Sequence, residues 1–127
     1  MNQTNGLLLS DDLLFISRIL STARSLCLEI KSARAVAPLL ALAAAQPPAC
    51  VLIDLQNPGL DIATLVRSLK EMGNVYLVGY GSHVDAAALK AARDAGCDLV
   101  LPRSKFVEEL ATALPGWFAG GKPSIQS

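Results

Sequence analysis

Asp11 and Asp12 close one short apolar run, Leu7 to Leu9 followed by Ser10, and Asp54 closes another, Val51 to Ile53. A carboxylate delivered at the end of a buried strand can serve as nucleophile, base or metal ligand, because open α/β sheets bind ligands beyond the carboxyl ends of their strands. If the two runs are neighbouring strands, the three acids converge. Two carboxylates about 4 Å apart repel by roughly 4 kcal/mol at an effective dielectric near 20. Such a group either takes up protons or holds a cation. Oxygen-only ligands with space left for water favour magnesium. Each acid alone has a plainer reading: Asp11 and Asp12 cap the helix that follows, and Asp54 is an ordinary strand-end acid.

The elements that must position these acids follow from hydrophobic pattern and turn chemistry. Leu7 to Ser10 reads as a first strand, and Leu13, Ile16, Leu20 and Ala23 then mark one face of a helix. Leu26 to Ile30 reads as a second strand, its Glu29 pointing to an edge or an end. Pro38 falls in the first turn of the next helix, which runs to Ala45 and is stopped by Pro47-Pro48. The third strand ends at Asp54; Pro58-Gly59 force a turn, and Asp61 caps a helix with Ile62, Leu65, Val66, Leu69 and Met72 on one face and Gly73 at its end. Val75 to Val78 is the fourth strand, leading into a loop Gly79-Tyr-Gly-Ser-His83. Ser82 and Asp85 resemble a capping pair for a helix to Ala95, closed by Gly96. Leu99 to Leu101 is the fifth strand, and Ser104 caps a final helix ending before Pro115. Strands alternating with helices over short connections imply a parallel sheet with helices on both faces.

Composition narrows the function classes. The 127 residues fit one domain, 1–118, with 119–127 expected to be a disordered tail. Apolar residues make up 52% and aromatics only 5%, so Ala, Leu, Val and Ile must build the core. Eleven basic and eleven acidic residues cancel, giving no basic stripe for nucleic acid. Leu7 to Leu9 is too short for a signal peptide or a membrane span, so a cytoplasmic chain is expected. Cys27, Cys50 and Cys97 read as free buried thiols rather than a disulfide set or zinc site. His83, the only histidine, reads as an exposed residue at the start of a helix. Trp117 and Phe118 are expected to pack across the sheet end, with a partner patch as the alternative.

The ordered set of motifs resembles the receiver domain of two-component response regulators, the CheY-like family. The acid pair stands in Leu9-Ser-Asp-Asp12, and Asp54 is followed four residues on by Pro58, then by Gly59, and seven on by Asp61. Ala95-Gly-Cys-Asp98 matches the family's Ala-Gly-Ala-Asp run, and the likeness spans Leu7 to Leu114. The resemblance implies a flavodoxin-like three-layer (βα)5 fold with strand order 2-1-3-4-5. It implies that Asp54 accepts a phosphoryl group from a sensor histidine kinase or phosphotransfer protein. Asp11, Asp12 and Asp54 would hold Mg2+, with the backbone carbonyl of Gln56 as a further ligand. Gly79 and the backbone N–H of Tyr80 would meet the phosphoryl group, and Arg103 would stand at the family's lysine. Such a chain is no enzyme beyond its own phosphorylation and dephosphorylation. It would signal to a downstream protein, with a homodimer through helix four, strand five and helix five as one arrangement.

Three positions depart from the family. Gly79 replaces the strand-four Thr or Ser whose hydroxyl grips the phosphoryl group, and a hydrogen bond to a charged group is worth about 1.5–3 kcal/mol. Arg103-Ser104 replaces Lys-Pro; the forked guanidinium can pair with a phosphoryl oxygen or with Asp54 itself. Val100 replaces the strand-five aromatic that rotates on activation. Two functions therefore compete: a phosphate-accepting receiver, and a pseudo-receiver that binds a partner without aspartyl phosphate. A nucleotide-binding enzyme of similar shape is disfavoured, since no Gly-rich loop follows the first strand.

Overall fold

The computed structural model describes residues 5–121. The strands are β1 (Asn5–Leu9), β2 (Glu29–Ala33), β3 (Cys50–Asp54), β4 (Tyr76–Gly81) and β5 (Leu99–Pro102). Between and after them run α1 (Leu13–Ser25), α2 (Val36–Ala45), α3 (Ile62–Glu71), α4 (Ala86–Ala95) and α5 (Arg103–Phe118). All strand pairs are parallel, in the order β2-β1-β3-β4-β5, so the flavodoxin-like expectation holds. The central strand β3 is buried at every position, as its unbroken apolar run requires. At one edge, β2 turns Glu29 and Lys31 to solvent, charges that discourage pairing with another chain.

Strand alternation divides the core in two. Leu8, Leu52, Val78 and Tyr80 pack with α1 and α5 through Ile16, Ile19, Phe106, Leu110 and Trp117. Leu7, Leu9, Val51, Ile53 and Leu77 pack on the other face with Leu39, Ala43, Leu65, Val66 and Leu69 of α2 and α3. Helix starts follow their sequence signals where an Asp is present. Asp12, Asp61 and Asp85 accept the backbone N–H of Phe15, Thr64 and Ala88. Gly96 ends α4 in the left-handed region at φ 108°.

Several boundaries differ from expectation. The second strand begins at Glu29, because α1 continues to Ser25 and the chain then turns through Cys27 at φ 61°. Cys27 is accordingly exposed rather than buried, whereas Cys50 is buried and Cys97 half-buried. Burial pushes the Cys97 thiol up to about 11, with help from the Asp98 charge. Strand β4 extends to Gly81, so Gly79 and Tyr80 lie in the sheet and not in a loop. Ser104 does not cap the last helix: the cap position is Pro102, two residues earlier, with no side-chain cap. The helix also runs through Pro115 to Phe118. A proline inside a helix costs about 3 kcal/mol, and burial of Trp117 and Phe118 at about 1.5–3 kcal/mol each offsets it. Trp117 and Phe118 are thus core residues, as the packing expectation held. Of the expected tail, 122–127 lie outside the described residues.

Phe118 also explains a glycine. A Cβ on Gly6 would lie 2.6 Å from Phe118 Cζ and 3.0 Å from the Cys50 carbonyl. We expect Gly6→Ala to destabilise the fold by about 1–3 kcal/mol, as overpacked sites do, read as a lowered midpoint in urea denaturation.

Candidate functional site

Asp54 ends β3 with 3% of its surface exposed. Register decides what surrounds it. Leu9 pairs with Ile53, so the residue that comes level with Asp54 on β1 is Ser10, fully buried, and not either member of the acid pair. The Ser10 hydroxyl donates to Asp54 Oδ2 at 2.9 Å and accepts the Asp12 backbone N–H at 3.1 Å. The Asp54 Oδ1 accepts the Gln56 backbone N–H at 3.0 Å and lies 3.8 Å from Arg103 Nη2. Both carboxylate oxygens are therefore engaged within the protein.

Asp11 and Asp12 are exposed, and Asp12 Oδ1 is committed to the start of α1 at 3.1 Å from Phe15 N. Among the described residues, no three His, Cys, Asp or Glu side chains stand close enough to hold a metal ion. The expected convergence of Asp11, Asp12 and Asp54 is not what the chain builds. The physical reason is Ser10: it occupies the place beside Asp54, and the acids fall in the turn and the helix cap beyond it. Asp54, with each oxygen hydrogen-bonded inside the protein, is not presented to a metal together with two further acids.

On β4, Asp54 pairs with Tyr80. Alternation turns Tyr80 to the Asp54 face and Gly79 to the opposite one, where a Cβ would meet Leu55 at 3.3 Å. The strand-four side chain that shares the acid's face is thus a tyrosine. Its ring is fully buried, stacked 4.3 Å from Phe106 and tilted 5.2 Å from Phe15, so it neither rests on the surface nor moves freely over the site. Its hydroxyl is buried without a hydrogen-bond partner. Burial first, and then the Asp54 charge, push the phenol above its ordinary range, against smaller opposing effects of the Ser10 hydroxyl and the Arg103 charge. Val100 pairs with Gly79 and is half-buried on β5.

Arg103 begins α5 with its side chain 41% exposed, and its guanidinium carbon lies 5.5 Å from the centroid of the Phe15 ring. Cation–π attraction of this kind is worth about 0.5–1 kcal/mol at an exposed site. Gln56 acts through its side chain: Oε1 accepts the Ser82 N–H at 3.0 Å and Nε2 donates to Asp85 Oδ2 at 3.1 Å. That amide straps the loop after β3 to the loop after β4. Ser82, His83, Arg103 and Ser104 line a shallow cleft of about 300 Å3 beside the pair; His83 is exposed as expected, but in the turn before α4 and not at its start.

Sequence reasoning named Asp54 and Arg103 and foresaw that they could pair. It gave no role to Ser10, Phe15 or Phe106. The signal for Ser10 was present, since strand alternation puts it on the Leu8 face, opposite the acid's end of β3.

No protein-family model and no curated protein matches the sequence. Solved structures do. The signal receiver domain of the response regulator NarL from Mycobacterium tuberculosis superposes with a TM-score of 0.72 at 21% identity, covering 94% of this chain and 99% of that one. The chain has the receiver fold. A CheY-like receiver domain protein from Methanospirillum hungatei JF-1 gives a TM-score of 0.79 at 13% identity, over 94% of this chain and 96% of the other. The receiver domain of sensor histidine kinase PA1611 from Pseudomonas aeruginosa PAO1, solved with magnesium in its active site cleft, gives 0.78 at 20% identity over 94% and 99%. Identities this low establish the receiver fold and leave the chemistry to this chain's own residues.

Two outcomes follow from the geometry. Ser10→Ala removes a donor from a buried carboxylate and should cost about 1.5–3 kcal/mol, measured by chemical denaturation at neutral pH. The raised Tyr80 phenol makes its contribution to stability fully present below the unfolded value near 10 and lost as pH rises toward the folded value. Tyr80→Phe should leave stability at pH 7 unchanged or higher, since an unpartnered hydroxyl is removed. It should also reduce the loss of melting temperature above about pH 10.

Proposed function

We propose that this chain is a receiver-type signalling module that works by docking a partner protein, with Asp54 serving as a fixed structural carboxylate rather than as a phosphate acceptor. The observation that carries this reading is that Ser10, the Gln56 N–H and Arg103 together engage both oxygens of Asp54. A nucleophilic oxygen must be free to reach phosphorus, with its incoming charge neutralised. Here each oxygen already accepts one hydrogen bond from inside the protein, and a guanidinium stands near one of them. The Gln56 strap supports the same reading, because it joins the two loops that would have to part for a large rearrangement. The receiver fold supports a place in two-component signalling, and the surface of α4, β5 and α5 is the face on which a downstream protein or a second copy would dock. Among the described residues no helix is long and apolar enough to cross a membrane.

One observation favours the second reading, a phosphate-accepting receiver served by a histidine kinase or phosphotransfer protein. The cleft lined by His83, Arg103 and Ser104 opens beside the acid's guanidinium partner, where a small phosphodonor could enter. Incubating the chain with magnesium and acetyl phosphate and recording its intact mass separates the two. The docking reading predicts no added phosphoryl mass. A gain that Asp54→Asn abolishes would overturn it in favour of the second.

A further inference from the structure

We infer that Ser10 and Arg103 together replace a divalent cation at Asp54, so that the site is built to work without metal. The argument starts from charge. A carboxylate 3% exposed needs compensation from nearby, since an unpaired buried charge is strongly destabilising. Arg103 provides the positive charge at 3.8 Å, and Phe15 beneath the guanidinium holds it over the site. Phe15 is itself fixed by Tyr80 at 5.2 Å and Phe106 at 6.1 Å, and Phe106 stacks on Trp117 at 5.6 Å. The cation thus sits on a buried aromatic ladder rather than on a free side chain. The planar guanidinium presents its donors in a fixed fork that suits a carboxylate.

Ser10 completes the replacement. An acid at this position would point a second carboxylate at Asp54 and call for a metal between them. The serine instead donates a hydrogen bond to Oδ2 and, by accepting the Asp12 N–H, sets the turn in which Asp12 reaches the cap of α1. One hydroxyl therefore bonds the buried carboxylate and the turn that carries Asp12 to the helix cap.

This inference rests on Asp54 being a fixed carboxylate, yet it is read separately from phosphorylation. A chain that gains no phosphoryl mass yet binds magnesium would sink the inference and leave the docking function standing. The test is thermal denaturation of the full chain with and without millimolar magnesium chloride, for the wild type and Ser10→Asp. The wild type should show no metal-dependent shift. Ser10→Asp should gain one of roughly 3–8 °C at ten times its Kd. A wild-type rise equal to the variant's, or a folded but metal-silent variant, overturns the inference. Should Ser10→Asp fail to fold, the cycle Asp54→Asn with Arg103→Met decides. Coupling of about tenfold in the folding constant is expected for a direct pair, and additivity of the two changes overturns the proposal.

Discussion

Asp54 must be balanced from inside the molecule, because almost no water reaches its carboxylate. A buried ion in this setting costs several kcal/mol unless hydrogen bonds and an opposite charge compensate it. The chain meets that requirement with a hydroxyl from the residue after β1, a backbone N–H from the turn after β3 and a guanidinium from the first residue of α5. Three elements far apart in sequence are tied to one acid at the carboxyl edge of the sheet. The aromatic ladder of Phe15, Tyr80, Phe106 and Trp117 then secures the guanidinium from below.

That arrangement separates the scaffold from the chemistry it often supports. The strand order, the helix layers and the strand-end acid agree with the receiver fold. The residues around the acid are those of a closed electrostatic unit. Tyr80 fills the place facing Asp54 on β4 with a ring that is buried and stacked, and Gln56 joins the loops on either side. Both are packed or hydrogen-bonded parts of the fold.

Much of this was legible in the sequence, and the parts that were not have identifiable causes. Hydrophobic runs ending in acids, with Asp caps and Gly stops, were local signals, so β3, α3 and the end of α4 came out as read, while α4 starts at Ala86 behind an Asp85 cap and not behind Ser82. The start of β2 was hidden because Leu26 and Leu28 look strand-like, while the chain needs them in the turn around Cys27. Pro115 read as a helix end, but long-range burial of Trp117 and Phe118 overrode the local preference. The acid cluster failed through register. Counting residues places Asp11 and Asp12 after β1, but only the pairing of Leu9 with Ile53 shows that Ser10 is the one beside Asp54. A single step along a strand changes which side chain faces the site. The same alternation moved the strand-four contact from Gly79 to Tyr80.

The most direct measurement is a crystal structure of the chain grown or soaked in high manganese, read by anomalous diffraction at the carboxyl end of β3. The account predicts no manganese within bonding distance of Asp54, with the Arg103 guanidinium and the Ser10 hydroxyl against its two oxygens. A manganese ion bonded to Asp54, with Arg103 swung away and Asp11 or Asp12 drawn in as ligands, would contradict it.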